Sequence, residues 1–261
     1  MELGLKQKVA LVHGAGGGLG GAIARALADE GATVVVCDIN DTYLAVTCEA
    51  IEMAGGTAIG KQWDLAQIDR FKQLHDEVVA AVGPIDILCN NTGGPPPSLV
   101  QNVERNVWQR HFTEMVLSVV TMTDLVLPGM KEQNWGRVIT SASSGVVAPI
   151  ANLGLSNSLR SALVGWSKTL AREVGPSGIT TNVLVPGRIA TQRIVALDKA
   201  KAAREDRSYD AVVQESVAAI PVSRYGDPDE YGAAAAFLAS RQASYITGSI
   251  IRVDGGLIAN V

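Results

Sequence analysis

From Lys8 to Gly20 the chain reads KVALVHGAGGGLG, an apolar run that breaks into glycine and continues at once as a helix. β-Branched Val9 and Val12, in a short run ended by glycine, mark a buried strand. The following AIARALADEG places Ile23 and Leu27 four apart and stops at Gly31, as a helix with a glycine end does. Gly14, Gly16, Gly17, Gly18, Gly20 and Gly21 lie between or within these elements and carry no Cβ. Their amides can therefore approach a pyrophosphate at the positive end of the helix. Two glycine registers fit, Gly14-x-x-x-Gly18-x-Gly20 and Gly16-x-Gly18-x-x-Gly21. A strand ending at His13 starts the turn at Gly14 and favours the first.

The second strand, TVVVCD (33–38), ends in an acid about 20 residues past the glycines. A carboxylate at Asp38 accepts hydrogen bonds from an adenosine ribose and repels a 2′-phosphate. The expected cofactor is NAD rather than its phosphorylated form.

Strands and helices alternate along the rest of the chain. Strands are expected at 7–13, 33–38, 57–62, 85–90, 136–141, 179–185 and 249–253. Helices are expected at 18–30, 41–54, 66–82, 101–132 (with a break), 153–174 and 227–240. Continuous apolar strands in such an order predict an α/β fold, a doubly wound seven-stranded parallel sheet with helices on both faces. With 261 residues and no linker, one Rossmann-type domain over 1–261 is expected. Ligands bind such sheets beyond the carboxyl ends of the strands. The stretch 188–225 is long for a connector at that end, and is expected to be a substrate lid.

A net charge of −4 without basic patches speaks against nucleic acid or an anionic membrane as partner. Cys37, Cys48 and Cys89 suggest neither a disulfide framework nor a metal site. The start MELGLKQK has no signal-type apolar core, and no stretch reads as membrane-spanning, so a cytoplasmic location is expected.

The post-strand residues carry a more specific pattern: GxxxGxG at 14–20, Asp64-Leu65, Asn90-Asn91-Thr92-Gly93, GRVIT-x-x-Ser at 136–143, GWSKTLARE at 165–173, Asn182 with PGRIAT at 186–191, and YITGS…RVDGG at 245–256. In these the chain resembles the short-chain dehydrogenase/reductase family over nearly its whole length. The resemblance implies cofactor contacts from Gly14, Gly17, Gly18, Leu19, Gly20, Asp38, Ile39, Asp64, Leu65, Asn91, Thr92, Gly93, Arg160, Pro186, Gly187, Ile189 and Thr191. It implies a small-molecule alcohol or carbonyl substrate, and a homotetramer or dimer paired through helices near 107–132 and 153–174.

The same resemblance implies an Asn-Ser-Tyr-Lys site, of which only Ser143 is kept. Counting back from GWSKTLARE puts the tyrosine position at Ser156 and the lysine position at Arg160; the asparagine position falls at Met115. A phenol with pKa near ~10 can be tuned towards neutrality by a cation, whereas an alkyl hydroxyl is far less acidic. Arg160 cannot shed a proton, and Met115 cannot relay one. The expected enzyme is an NAD-dependent oxidoreductase with a non-standard proton path through Ser143, Ser156 and Arg160. The alternative is a non-redox enzyme (elimination, isomerisation or dehalogenation), or a silent NAD-binding protein. The serine–arginine spacing also resembles halohydrin dehalogenases, which lack the dinucleotide glycines kept here. His111 and Glu114 read as surface helix residues with a secondary prospect of supplying a proton, Tyr209 and Tyr225 as lid packing, and Arg188 and Arg193 as solvated charges or anion holders.

Overall fold

The computed structural model describes residues 2–260. Seven strands, β1 (Val9–His13), β2 (Thr33–Asp38), β3 (Thr57–Gln62), β4 (Ile87–Asn90), β5 (Gly136–Ser141), β6 (Ile179–Pro186) and β7 (Ile250–Val253), form one sheet in the order β3-β2-β1-β4-β5-β6-β7. Every neighbouring pair runs parallel. The chain winds outwards from β1 to β3, then returns to β4 on the other side. The loops after β1 and β4 therefore diverge and open a crevice at the carboxyl edge.

Central strands are buried throughout because both faces are covered: all residues of β1, β4 and β5 are buried. On one face lie α1 (Gly18–Asp29), α2 (Asp41–Met53) and α9 (Pro228–Ala239), contributing Ile23, Leu27, Ile51, Tyr231 and Leu238 to one core. Helices α1 and α9 touch almost backbone to backbone, since a Cβ at Gly232 would sit 2.5 Å from the Ala22 carbonyl oxygen. On the other face, α3 (Phe71–Val82), α5 (Ser118–Gln133) and α6 (Gly154–Val174) supply Phe71, Leu74, Met122, Val126 and Leu170.

Two expectations need correction. The helix expected from 66 starts at Phe71, because the Asp64 carboxylate captures the Ala66 amide and the Gln67 side chain and turns the chain through a short 3₁₀ segment first. The stretch Arg105–Gln133 is, by length and composition, apolar enough to cross a membrane, with a mean hydropathy of 1.3 in its most apolar window. Many of its apolar residues are spent inside: Met122, Val126 and Met130 pack on the sheet, and Met115, Val116 and Val119 on α6, while Phe112 and Leu117 stay exposed. This stretch is α4 (Arg105–Phe112), one π-turn (Thr113–Leu117) and α5 run together. Of the 188–225 insertion, two helices carry most, α7 (Gln192–Glu205) and α8 (Tyr209–Ala218).

Candidate active site

A cavity of about 590 Å³ opens at the crevice. The glycine turn, the loops after β4, β5 and β6, the start of α6 and the start of α7 enclose it. Gly17, Gly18 and Leu19 line it from the turn; Asn91, Thr92 and Gly93 from β4; Ser143 from β5; Ser156 and Arg160 from α6; Pro186, Gly187, Ile189 and Thr191 from β6. Gly14 and Gly20 stand behind this wall. A Cβ at Gly20 would lie 2.1 Å from the Gly14 carbonyl oxygen, so helix and strand meet here only through glycine. Asn91 ties the turn down by donating from Nδ2 to the same carbonyl at 3.2 Å.

The turn suits a pyrophosphate. Gly17 caps α1 without any side-chain hydrogen bond, so no side chain satisfies the first amides of a 12-residue helix. At Gly17 nothing lies within 4 Å of the Cβ position, which leaves room for an oxyanion against the backbone. Asp38 sits beside the turn, its Oδ2 accepting from the Gly16 amide and its Oδ1 from the Asn40 amide, both at 2.9 Å. Gly16 permits that approach, since its Cβ would meet the carboxylate at 2.8 Å. Asp38, Ile39, Asp64 and Leu65 lie outside the cavity, and Ile39 is exposed. An adenosine would therefore rest along an open edge, with only the nicotinamide half enclosed.

The reaction end is built differently. Ser143 Oγ accepts from the Gly145 amide at 3.1 Å, which fixes the hydroxyl at the cavity wall. Ser156 is buried, and its hydroxyl finds no partner in the protein among the described residues. Arg160 is buried too, and holds three backbone carbonyls: Ser141 at 3.1 Å through Nη1, Thr92 at 3.1 Å and Gly93 at 2.9 Å through Nη2. It thereby clasps the ends of β4 and β5. Burial pulls its pKa down to about 10, with Arg193 adding to the effect, and it stays charged near neutrality. Beneath it the buried Tyr231 hydroxyl donates to the Leu184 carbonyl at 3.0 Å and meets Ser141 Oγ at 2.9 Å. Sequence alone did not single out this support, since Tyr231 and Ser141 are 90 residues apart.

Met115 points away from the cavity, into an apolar cluster with Leu159 and Leu163 of α6. His111 is buried rather than on the surface, and its ring bonds Glu114 at 2.9 Å and Arg110 at 3.2 Å, away from the cavity. His13 stacks edge-on with Trp63 at 5.5 Å, and burial lowers its pKa to about 4. Tyr225 donates to Asp198 at 2.8 Å, and Asp198 also receives Arg188, so both residues are committed to the Asp198 carboxylate. Neither Tyr225 nor Tyr209 lines the cavity.

Residues 14–258 match a family model described as enoyl-(acyl carrier protein) reductase. The chain belongs to the short-chain dehydrogenase/reductase family. It is 33% identical over 258 residues to the 3-oxoacyl-acyl-carrier-protein reductase FabG of Vibrio harveyi, covering 98% of this chain and 99% of that one. It superposes on L-sorbose reductase from Gluconobacter frateurii, solved with NADPH and L-sorbose, with a TM-score of 0.93, 28% identity and full coverage of both chains. A NAD⁺-bound xylitol dehydrogenase matches with a TM-score of 0.90 and 27% identity over 97% of this chain and all of that one. The protein is accordingly an oxidoreductase of this family, acting on a small molecule.

Proposed function

We propose that the protein is a NAD(H)-dependent oxidoreductase whose proton does not come from a tuned side-chain acid. The observation that carries this is the lining of the cavity. Among the described residues it contains no His, Tyr, Cys, Asp or Glu, and its only lysine, Lys201, is held by Glu215 at 2.7 Å. Ser156, Arg160 and Met115 stand where the family resemblance implies tyrosine, lysine and asparagine. Bound NADH supplies a hydride. Gly17, Gly18 and Leu19 would hold its phosphates with their amides and Asp38 would receive its ribose hydroxyls, while Arg160 holds the β4 and β5 ends together. The free Ser156 hydroxyl and Ser143 hold the acceptor oxygen, and Ser156 passes a proton from water as charge develops there. An alkyl hydroxyl is a poor acid, so the favoured substrates are those whose product anion is already stabilised, such as conjugated or α-dicarbonyl acceptors.

The cofactor preference rests on Asp38, with Asn40 and Asp41 beside it and no lysine or arginine in the glycine turn to receive a 2′-phosphate. The 188–225 segment acts as a lid through α7, and the chain assembles as a homotetramer or dimer through α5 and α6. A monomeric mass by light scattering at micromolar concentration would overturn the assembly. The test of function is a hydride-transfer screen over ketones and conjugated enones with NADH and NADPH, with Ser143→Ala and Ser156→Ala alongside. Ser143→Ala should cost more, because its hydroxyl is the one held rigidly. If Ser156→Ala alone abolishes turnover, Ser156 carries the chemistry and the assignment of Ser143 falls.

A further inference from the structure

Among the described residues the cavity wall carries five cations, Arg160, Arg188, Arg193, Lys201 and Arg204, and no lining residue is Asp or Glu. Three are answered by carboxylates set behind the wall: Arg188 by Asp198, Lys201 by Glu215 and Arg204 by Glu205. Arg160 and Arg193 are not. Arg160 has only its three backbone carbonyls, and Arg193 donates from Nη2 to the Pro95 carbonyl at 2.7 Å. Both guanidiniums converge on Gly94, where a Cβ would lie 3.3 Å from Arg193 Nη2 and 3.7 Å from Arg160 Nη2. Arg160 is buried and Arg193 is exposed, and two like charges this close with no counter-charge repel until an anion joins them. Neutral carbonyls satisfy the hydrogen bonds and leave the charge.

The phosphates of a dinucleotide would not be that anion. Their cradle is the turn at Gly17 to Leu19, whereas Arg193 is anchored to the loop after β4. That contact takes one of the two N–H bonds of Nη2, so Arg193 keeps further donors for an anion. The remaining wall offers an apolar surface through Ile150, Leu153, Ile194, Leu197 and Leu257.

We infer that the substrate carries a carboxylate, gripped by Arg193 with Arg160 behind it, and an apolar body that lies against Leu153, Ile194 and Leu197. This rests on the oxidoreductase reading above for what happens to the substrate, but the anion site itself does not need that reading. A carboxylate on Arg193 cancels one of the two facing charges. Arg160 then directs its field at the oxygen that becomes negative when hydride arrives, which offsets part of what the missing acid would have done.

The test uses matched acids and esters on the full chain. Calorimetry with 3-benzoylpropionate and its methyl ester, on the protein with and without NADH, should show the acid binding at least tenfold more tightly. Arg193→Met should remove that preference while leaving the dissociation constant for NADH within twofold. With 3-benzoylacrylate, an enone acid, the same substitution should raise KM far more than it lowers kcat. An ester that binds as well as its acid, or an acid that does not bind, overturns the inference. So does an NADH affinity that collapses in Arg193→Met, which would make Arg193 a cofactor residue. Acid-selective binding without any hydride transfer would support the anion site and sink the redox reading instead, so the two fail separately.

Discussion

The two ends of the one cavity are held by different means. At the glycine turn, position is set by what cannot be there: a Cβ on Gly20 would strike the Gly14 carbonyl, and one on Gly16 would strike Asp38. At the reaction end, position is set by side chains, with Arg160 bridging three carbonyls and Ser143 held by a backbone amide. A steric rule tolerates no substitution, whereas a side-chain role can be refilled. On the reading proposed above, this is why the cradle would keep the family pattern while the serine and arginine end departs from it.

The sharpest way to break this contrast is at the turn. Gly20→Ala should destabilise the fold by about 3 kcal/mol and abolish NADH binding, because backbone meets backbone there. Gly17→Ala should leave the melting temperature unchanged and weaken only NADH, since nothing of the protein lies within 4 Å. Equal melting temperatures for both variants would deny the steric account.

His13 carries the contrast into pH. Its folded pKa of about 4 lies below the ordinary 6.5, so the unfolded chain takes up a proton that the folded one refuses. The stability this histidine permits is full above pH 6.5 and is lost as pH falls through about 4, by about 3 kcal/mol in all. His13→Thr should flatten denaturant-measured stability between those two pH values, whatever it does at pH 7. A slope unchanged by the substitution would assign the acid lability elsewhere.

At the reaction end the refilled roles should be reversible. Ser156→Tyr, with the Arg160 cation near enough to draw the phenol down, should raise the reduction of simple ketones by about 100-fold. It should also introduce a basic limb in the pH–rate profile that the parent lacks. No gain, with NADH binding intact, would mean that the rest of the site has moved on too far to accept the phenol. The smallest effect is expected at the open adenosine edge, where Asp38→Ala should narrow the preference for NADH over NADPH by about tenfold. An NADPH preference in the parent would remove the basis of that experiment and of the cofactor assignment together.

Much of the fold could be read directly. TVVVCD and GRVITS appear as strands over their full expected lengths, because buried parallel strands are written as unbroken apolar or β-branched runs. The glycine turn was legible for the same local reason. What was not legible came from long-range pairing. His111 looks like a surface residue until α4 is seen lying against α6, and Arg188 looks solvated until α7 brings Asp198 beneath it. The match of Tyr231 to Ser141, and the convergence of Arg160 and Arg193 on Gly94, join segments that share no sequence window. The apolar character of 105–133 is masked in the sequence because charged α4 dilutes it.

The π-turn at Thr113–Leu117 has a further consequence. Each residue of an α-helix advances the chain about 100° around the axis, so an added residue would normally swing one flank off its packing partner. A wider turn closing between residues five apart absorbs that extra residue and keeps both flanks in phase. Here α4 and α5 each keep their buried side inward across it. A chain one residue shorter at this turn should therefore keep its direction through the 29-residue stretch. Relatives that differ in length by one residue at this point should superpose on both sides of it.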